Sequence, residues 1–214
     1  MNLHYTTHAS AANPSQCQDR HNVIELPDRL VVVVADGAGN SGLGREAALT
    51  CCQIVRDEAN SGLPTHDWIA CLREVDAVLA VDGPGRAAAV VVEIREDGRV
   101  IGAGAGDCQA RAVSYPHLEP RPRLKWDLTA DQAPKPLLGD GAVPTAFAEQ
   151  IPGSLLLVAT DGLWKYLRES IIFDRLLRPP LDRVGTALEE RLRAQSRELQ
   201  DDVTIVTVAI PASS

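Results

Sequence analysis

Four aspartates in the sequence share one setting, in which an apolar run meets a loop. They are Asp36 in VVVVADG, Asp107 in GAGAGDC, Asp161 in LLLVATDG and Asp201 in LQDDVTIV. A fifth, Asp19 in QCQDR, precedes a predicted strand over Asn22 to Leu26. A carboxylate at the end of a buried strand is costly unless it is paired or coordinated. If these strand ends lie side by side, the carboxylates repel one another unless divalent cations neutralise them.

This set of residues favours a particular metal chemistry. Oxygen ligands without histidine or cysteine select Mg²⁺ or Mn²⁺ over zinc. Two such ions can activate a bridging water and hold a phosphate for in-line attack. A glycine after the ligand, as Gly37 follows Asp36, lets the backbone carbonyl approach a metal without interference from a side chain. The pattern therefore indicates a metal-dependent phosphohydrolase.

Each aspartate taken alone has a simpler interpretation. Asp-Gly is a common turn dipeptide, so a single Asp36 or Asp161 is more often a turn former or a helix cap. Asp201 or Asp202 could merely end a helix and begin a strand. The metal hypothesis depends on the set, because two separate buried strands that both end in Asp-Gly are unusual.

The apolar pattern predicts the elements that must position these residues. Buried strands are predicted at Val31 to Ala35, Ser154 to Thr160 and Val203 to Ile210, and the first two enter Asp-Gly turns. Further strands are predicted for Ala87 to Arg95, Arg99 to Gly104 and Gln109 to Tyr115, the first two forming a hairpin around Glu96-Asp97-Gly98.

Three helices complete the prediction. One begins at Arg45 and buries Ala47, Ala48, Cys51 and Val55. Thr65 is expected to cap a second helix, which buries Trp68, Leu72, Val75 and Leu79. A charged helix over Asp182 to Gln200 turns Val184, Leu188 and Leu192 inward. Helices and hairpins in this order indicate an α+β fold in one domain spanning 1–214.

Composition excludes several function classes. A formal net charge of -8 and no basic stripe argue against nucleic-acid binding. No stretch approaches the length of a membrane span, and no apolar leader is evident, so we expect no membrane partner. The five scattered cysteines lack zinc-site spacing and favour a reducing cytoplasm.

Five segments, in order, resemble the motifs of type 2C (PPM family) protein serine/threonine phosphatases, in their short bacterial form. VVVADGAGN resembles VADGxGG, GAGDCQARAV resembles GDSRxY, and LLLVATDGLW resembles LxxDGLW. DDVTIVTV resembles the terminal DNxTxVxV strand, and QCQDR resembles the first acidic motif. The matches run from about Gln18 to Val208, nearly the whole chain.

The resemblance implies an αββα sandwich of two antiparallel sheets flanked by helices, with metals at one end. It implies that Asp36 bridges two Mg²⁺ or Mn²⁺ ions, that Gly37 offers its carbonyl, and that Asp161 and Asp201 complete the catalytic centre as terminal ligands. Asp19 would act through a metal-bound water, and Asp107 with Asp161 could hold a third ion. The reaction would be hydrolysis of phosphoserine or phosphothreonine by metal-activated water, without a covalent enzyme intermediate.

The sequence also departs from the family pattern. Pro14 stands where many members carry a phosphate-binding arginine, and Gln18 replaces the usual glutamate. Ala38 stands where some members have a histidine proposed as general acid. Arg20 and Arg45 are candidates for the missing phosphate-binding group, although either could be an ordinary surface residue. The segment from Asp131 to Ser154 is short, so we expect a trimmed flap beside the site.

Two functions remain in competition at this point. The first is an active phosphatase whose partners are phosphorylated proteins, namely a bacterial serine/threonine kinase or its targets. The second is a catalytically weak phosphatase-like module that binds phosphoprotein or regulates a partner, which the departures at Pro14 and Gln18 would favour. Retention of Asp36, Asp107, Asp161 and Asp201 favours the enzyme.

Overall fold

The computed structural model describes residues 3–39, 42–83, 85–114, 125–178 and 180–212. Its strands are β1 (His4–Ser10), β2 (Arg20–Glu25), β3 (Leu30–Ala38), β4 (Arg86–Ile94), β5 (Arg99–Ala105), β6 (Gln109–Ser114), β7 (Lys125–Asp127), β8 (Thr145–Gln150), β9 (Ser154–Ala159) and β10 (Val203–Ile210). Its helices are α1 (Leu43–Ala59), α2 (Trp68–Asp82), α3 (Asp161–Trp164), α4 (Glu169–Leu177) and α5 (Val184–Ser196), with a 3₁₀ turn at Leu181–Arg183.

The strands form two antiparallel five-stranded sheets. The first sheet has the order β2-β3-β4-β5-β8, and the second has the order β1-β10-β9-β6-β7. Alternate residues of β3 and β4 point to opposite faces, so Val32, Val34 and Val90 pack between the sheets while Val31 and Val33 pack against α1 and α2. This explains why the β3 sequence is a continuous apolar run.

Helices cover the outer face of each sheet. On the first sheet, α1 and α2 bury Ala47, Cys51, Leu72 and Leu79. On the second sheet, α4 and α5 contribute Ile172, Phe173, Leu188 and Leu192 to a separate apolar cluster. The fold is therefore an α+β sandwich in four layers, as the sequence predicted.

Asp36-Gly37 does not form the tight turn that was predicted from the sequence. Strand β3 continues through Ala38, because Asp36 pairs with Ala88 and Gly37 pairs with Ala87 of β4. The second Asp-Gly pair does not form a simple turn either, since Asp161 is the first residue of α3. Both aspartates are held by regular backbone structure, which fixes their carboxylates more firmly than a loop would.

Other boundaries also differ from the prediction. The cap of α2 is Asp67 rather than Thr65, since the Asp67 side chain accepts a hydrogen bond from the amide of Ala70. Helix α5 is shorter than Asp182 to Gln200 because Arg197 adopts φ 66° and ends it. Strand β1 and helix α4 were not predicted. Tyr115, expected to end β6, lies outside the described residues.

The predicted hairpin and the last strand are confirmed. Strands β4 and β5 pair around Glu96-Asp97-Gly98, where Asp97 accepts a hydrogen bond from the amide of Arg99. Strand β10 runs from Val203 to Ile210 and lies between β1 and β9 in the second sheet. Within the part of the chain that the structure describes, no helix is long and apolar enough to cross a membrane.

Candidate metal centre

Strand register explains why distant aspartates meet at one end of the sandwich. Gln109 at the start of β6 pairs with Ala159 at the end of β9. Asp107 lies two residues before this pair and Asp161 two residues after it, so both leave the second sheet at the same point. The chain crosses from the first sheet to the second between Ala105 and Gln109, which places Asp107 between the sheets' ends.

Asp36, Asp107 and Asp161 are brought together. Each offers a carboxylate oxygen, and these oxygens all lie within 4.8 Å of one another. All three residues are half-buried, so the group is accessible yet poorly solvated. Three carboxylates at this separation could hold a hard divalent cation, because their mutual repulsion is relieved when a cation binds.

The electrostatics of the metal-free cluster agree with this geometry. Burial, followed by the charges of neighbouring carboxylates, raises the pKa of Asp36 to about 9. Burial and the charge of Asp107 also raise the pKa of Asp161, and burial and Asp161 raise the pKa of Asp201. Without a cation, the cluster retains protons that ordinary aspartates have lost.

Asp201 lies at the rim of this cluster. It lies near Asp161, because Nζ of Lys165 is 3.7 Å from Oδ2 of Asp161 and 3.9 Å from Oδ2 of Asp201. A Cβ on Gly162 would lie 1.9 Å from the Asp202 carbonyl oxygen. The glycine thus allows α3 to pack against the chain that enters β10. The Asp201 side chain is 44% exposed, against 17% for Asp161.

Asp19 is the most deeply buried of the predicted site aspartates, at 5% exposure. Its Oδ2 accepts a hydrogen bond of 2.8 Å from the hydroxyl of Thr160, which in turn accepts one of 3.0 Å from the amide of Thr204. Burial raises the pKa of Asp19 to about 7, although hydrogen bonds from Thr160 and Thr204 oppose the rise. Thr160 was not identified from the sequence.

Asp202 has a different task from Asp201. Its two carboxylate oxygens accept hydrogen bonds from the amides of Ala12, at 2.9 Å, and Gln18, at 2.8 Å. It therefore ties the loop before Asp19 to the start of β10.

Gly37 is required by packing, independently of any role at a metal. A Cβ at Gly37 would lie 1.9 Å from the carbonyl oxygen of Gly44, so the end of β3 touches the first turn of α1 backbone to backbone. The same approach buries the side-chain oxygen of Gln18, which has no hydrogen-bond partner among the described residues. That the Gly37 carbonyl binds a metal stays a prediction.

The two arginines proposed for phosphate have other partners here. Arg45 donates to the carbonyls of Cys17, at 3.0 Å, and Ser15, at 3.2 Å. Arg20 donates to the carbonyls of Asp19 and Cys17. Arg20 also pairs across strands with Ala35, which packs against the helices, so it lies on the opposite face of the sheet from Asp36. Their role in phosphate binding stays a prediction.

Lys165 lies beside the carboxylate cluster, although it was not identified as a site residue from the sequence. Its Nζ is 3.7 Å from Oδ2 of Asp161 and 3.9 Å from Oδ2 of Asp201. The signal was its position four residues after Asp161, the spacing at which side chains of one helical turn meet. A nearby cavity of about 390 Å³ is lined in part by Lys165, Gln109, Trp164 and Arg168.

The family model described as protein phosphatase 2C matches residues 7–117, more than half of the chain. A search of curated protein sequences found no match.

The fold is shared with solved bacterial phosphatases at low identity. The serine/threonine phosphatase of S. agalactiae is 17% identical with a TM-score of 0.80, over 98% of this chain and 100% of that one. The Mycobacterium tuberculosis serine/threonine phosphatase PstP/Ppp is 16% identical with a TM-score of 0.74, over 98% and 99%. RsbX in complex with magnesium is 16% identical with a TM-score of 0.73, over 97% and 95%. The chain belongs to the protein phosphatase 2C family of metal-dependent protein serine/threonine phosphatases.

Proposed function

We propose that the aspartate cluster holds two Mg²⁺ or Mn²⁺ ions, with room for a third, and that the chain uses them to hydrolyse phosphoserine and phosphothreonine in bacterial phosphoproteins. The observation that carries the proposal is the convergence of Asp36, Asp107 and Asp161, whose carboxylate oxygens lie within 4.8 Å of one another. Mg²⁺ and Mn²⁺ are both proposed on ligand chemistry alone, since both favour oxygen donors.

The residues present fit such ions. The proposed ligand atoms are carboxylate oxygens and a backbone carbonyl oxygen. The buried thiol of Cys108 points elsewhere, because it donates a hydrogen bond to the carbonyl of Ala88. Among the described residues, Lys165 is the cation that lies within 4.0 Å of Asp161 or Asp201. One ammonium group cannot balance a cluster in which burial and charge repulsion raise the pKa of Asp36 to about 9. Divalent cations would supply the missing positive charge.

Each residue predicted to bind metal would have its own role. Asp36 would contact two ions, Asp161 and Asp201 would be terminal ligands, and Gly37 would add its carbonyl. Asp107 lies beside Asp36 and Asp161 and would hold the third ion together with Asp161. The bound ions would activate water for attack on phosphorus and neutralise charge on the phosphate.

Asp19 is suited to orient rather than to bind directly. It is almost wholly buried, and Thr160 fixes one of its oxygens with a hydrogen bond of 2.8 Å. A carboxylate held in this way can accept a proton from a water at the cluster and keep that water in place. No chain residue needs to form a covalent bond to phosphate in this mechanism.

The short segment between Asp131 and Ser154 would leave the site open in a single domain. In the structure residues 139–142 of this segment are anchored to α2, because Oδ1 of Asp76 accepts hydrogen bonds from the amides of Gly139, Gly141 and Ala142. Gln132, near the start of the segment, donates to the carbonyls of Gly106 and Cys108, on either side of Asp107. An open site suits a protein substrate, which supplies its own surface to cover the metal centre. We propose that the substrate is a bacterial serine/threonine kinase or one of its targets.

The five cysteines are unpaired in the structure, which supports a reducing compartment, and we propose the cytoplasm. A catalytically weak binding module is not favoured. Such a module would gain nothing from a carboxylate cluster that is costly to bury.

The proposal is tested by hydrolysis of a phosphothreonine peptide. Purified protein should release phosphate when Mn²⁺ or Mg²⁺ is present and should stop when EDTA is added, and fresh Mn²⁺ should restore the rate. Activity that survives full chelation, or that requires zinc alone, contradicts the proposed function.

A further inference from the structure

Lys165 is held in place by the same helical turn that carries Asp161. Its amide donates a hydrogen bond of 2.8 Å to the Asp161 carbonyl, and its Nζ lies 3.7 Å from Oδ2 of Asp161. The side chain is 57% exposed, so the ammonium group can turn away from the carboxylates at little cost. The ammonium therefore sits at the surface of the cluster, where a substrate would arrive.

The surroundings of Lys165 leave room for an anion. The cavity of about 390 Å³ beside it is also lined by Gln109, Arg168 and Trp164. Arg111, on the same wall, is already paired with Asp127 at 3.0 Å and Glu169 at 3.1 Å. Lys165, unlike Arg111, lies within 4.0 Å of Asp161 and Asp201 and also lines the cavity.

Metal binding would change the partner of Lys165. In the metal-free protein its ammonium is attracted by Asp161 and Asp201. When divalent cations neutralise these carboxylates, that attraction is lost and the ammonium needs another anion. A phosphate bound at the cluster offers free oxygens within reach, and a lysine ammonium binds phosphate as a point charge.

We propose that Lys165 binds the phosphate group of the substrate and takes the place of the arginine that is absent at Pro14. The inference rests on the proposed function. It is favoured over Arg20 and Arg45, because both donate to backbone carbonyls of residues 15–19.

The test compares Lys165→Gln, Lys165→Arg and Lys125→Gln, all loaded with saturating Mn²⁺. Lys125 is the matched control, since it is 46% exposed and pairs with Glu169 at 3.0 Å, outside the metal centre. Lys165→Gln should raise KM for a phosphothreonine peptide and the Kd for inorganic phosphate by about tenfold to a hundredfold, with a smaller change in kcat. Lys165→Arg should restore most of both, and Lys125→Gln should match wild type.

The affinity for Mn²⁺ distinguishes a phosphate-binding role of Lys165 from a structural one. Mn²⁺ affinity of Lys165→Gln should equal or exceed that of wild type, because a neighbouring positive charge has been removed. If Lys165→Gln binds Mn²⁺ more weakly, or if KM and the phosphate Kd stay unchanged, the proposal is overturned. It is also overturned if Arg45→Ala, and not Lys165→Gln, weakens phosphate binding.

The two proposals can fail separately. If Lys165→Gln hydrolyses the peptide as well as wild type does, the proposed function stands and the role of Lys165 is removed. If wild type binds inorganic phosphate through Lys165, measured by calorimetry with Mn²⁺ present, but hydrolyses nothing, the role of Lys165 is supported and the proposed function is contradicted.

Discussion

The hydroxyl of Thr160 donates a hydrogen bond of 2.8 Å to Oδ2 of Asp19, joining residues 141 positions apart in the sequence. Thr160 is fully buried and directly precedes Asp161. The bond therefore connects the loop before β2, in the first sheet, to the end of β9, in the second. It holds the carboxylate of Asp19 against the segment that carries Asp161.

Replacing Thr160 with valine should loosen this connection. The change keeps the shape of the side chain but removes the hydroxyl, which leaves the buried amide of Thr204 without its partner. We expect a loss of about 1–3 kcal/mol in the free energy of unfolding and a reduced kcat. Urea unfolding and peptide kinetics in saturating Mn²⁺ measure both.

Thr207→Val is the matched control for this variant. The hydroxyl of Thr207 is also buried, on β10, but has no hydrogen-bond partner among the described residues. The control should be neutral or slightly stabilising. Equal losses in the two variants would show that the Thr160–Asp19 bond contributes nothing specific.

Asp202→Asn should be mild, because the amide oxygen can still accept one of the two hydrogen bonds from Ala12 and Gln18. We expect about 1 kcal/mol of lost stability and kcat/KM within about threefold of wild type. Asp202→Ala removes both bonds and should cost more stability. Thermal unfolding and steady-state kinetics measure the two effects, and loss of activity in Asp202→Asn comparable to a metal-ligand variant would mean that Asp202 binds metal.

The metal dependence of stability should itself depend on pH. Burial raises the pKa of Asp36 to about 9 and that of Asp19 to about 7 in the metal-free protein, from 3.8 for an ordinary aspartate. The folded metal-free state therefore holds protons that the unfolded state releases, and its stability falls as pH rises from about 4 to about 9. Bound cations neutralise the ionised carboxylates and remove this loss.

Thermal melts with Mg²⁺ and with EDTA measure the effect. The gap in Tm between the two conditions should widen from about pH 6 to about pH 8.5. Asp36→Asn should show a smaller and flatter gap, because the group with the higher pKa is gone. A gap in wild type that is constant or narrows with pH would disagree with ligands that carry protons in the metal-free state.

Strong apolar patterns predicted individual strands and helices well, whereas the sandwich was implied by the resemblance to type 2C phosphatases. Strands β3 and β9 contain continuous apolar runs because both of their faces are covered, and β10 is apolar apart from Thr204 and Thr207. The inward residues of α1 follow helical spacing. Strand β1, with sequence HYTTHAS, carries no such run and lies at a sheet edge, so its formation depends on pairing with β10. A pairing between strands as far apart in the sequence as β1 and β10 cannot be seen in the local pattern of apolar residues.

The same limit applies to the site. Aspartates at strand ends could be found from the sequence, but the bond from Thr160 and the approach of Lys165 depend on tertiary geometry. Asp-Gly at 36–37 was expected to turn, yet small residues Ala87 and Ala88 on β4 allow the strand to continue. Propensity was overridden there by an available partner strand.

Titration of Mn²⁺ into wild-type protein and Asp36→Asn, followed by calorimetry, tests the central claim most directly. Wild type should bind about two ions, and Asp36→Asn should lose at least one and bind the rest about tenfold or more weakly. Melts in EDTA should show Asp36→Asn at least as stable as wild type, because the neutral amide avoids the cost of protonating a buried carboxylate whose pKa is raised to about 9. If a folded Asp36→Asn protein binds Mn²⁺ with the stoichiometry and affinity of wild type, the aspartate cluster is not the metal centre.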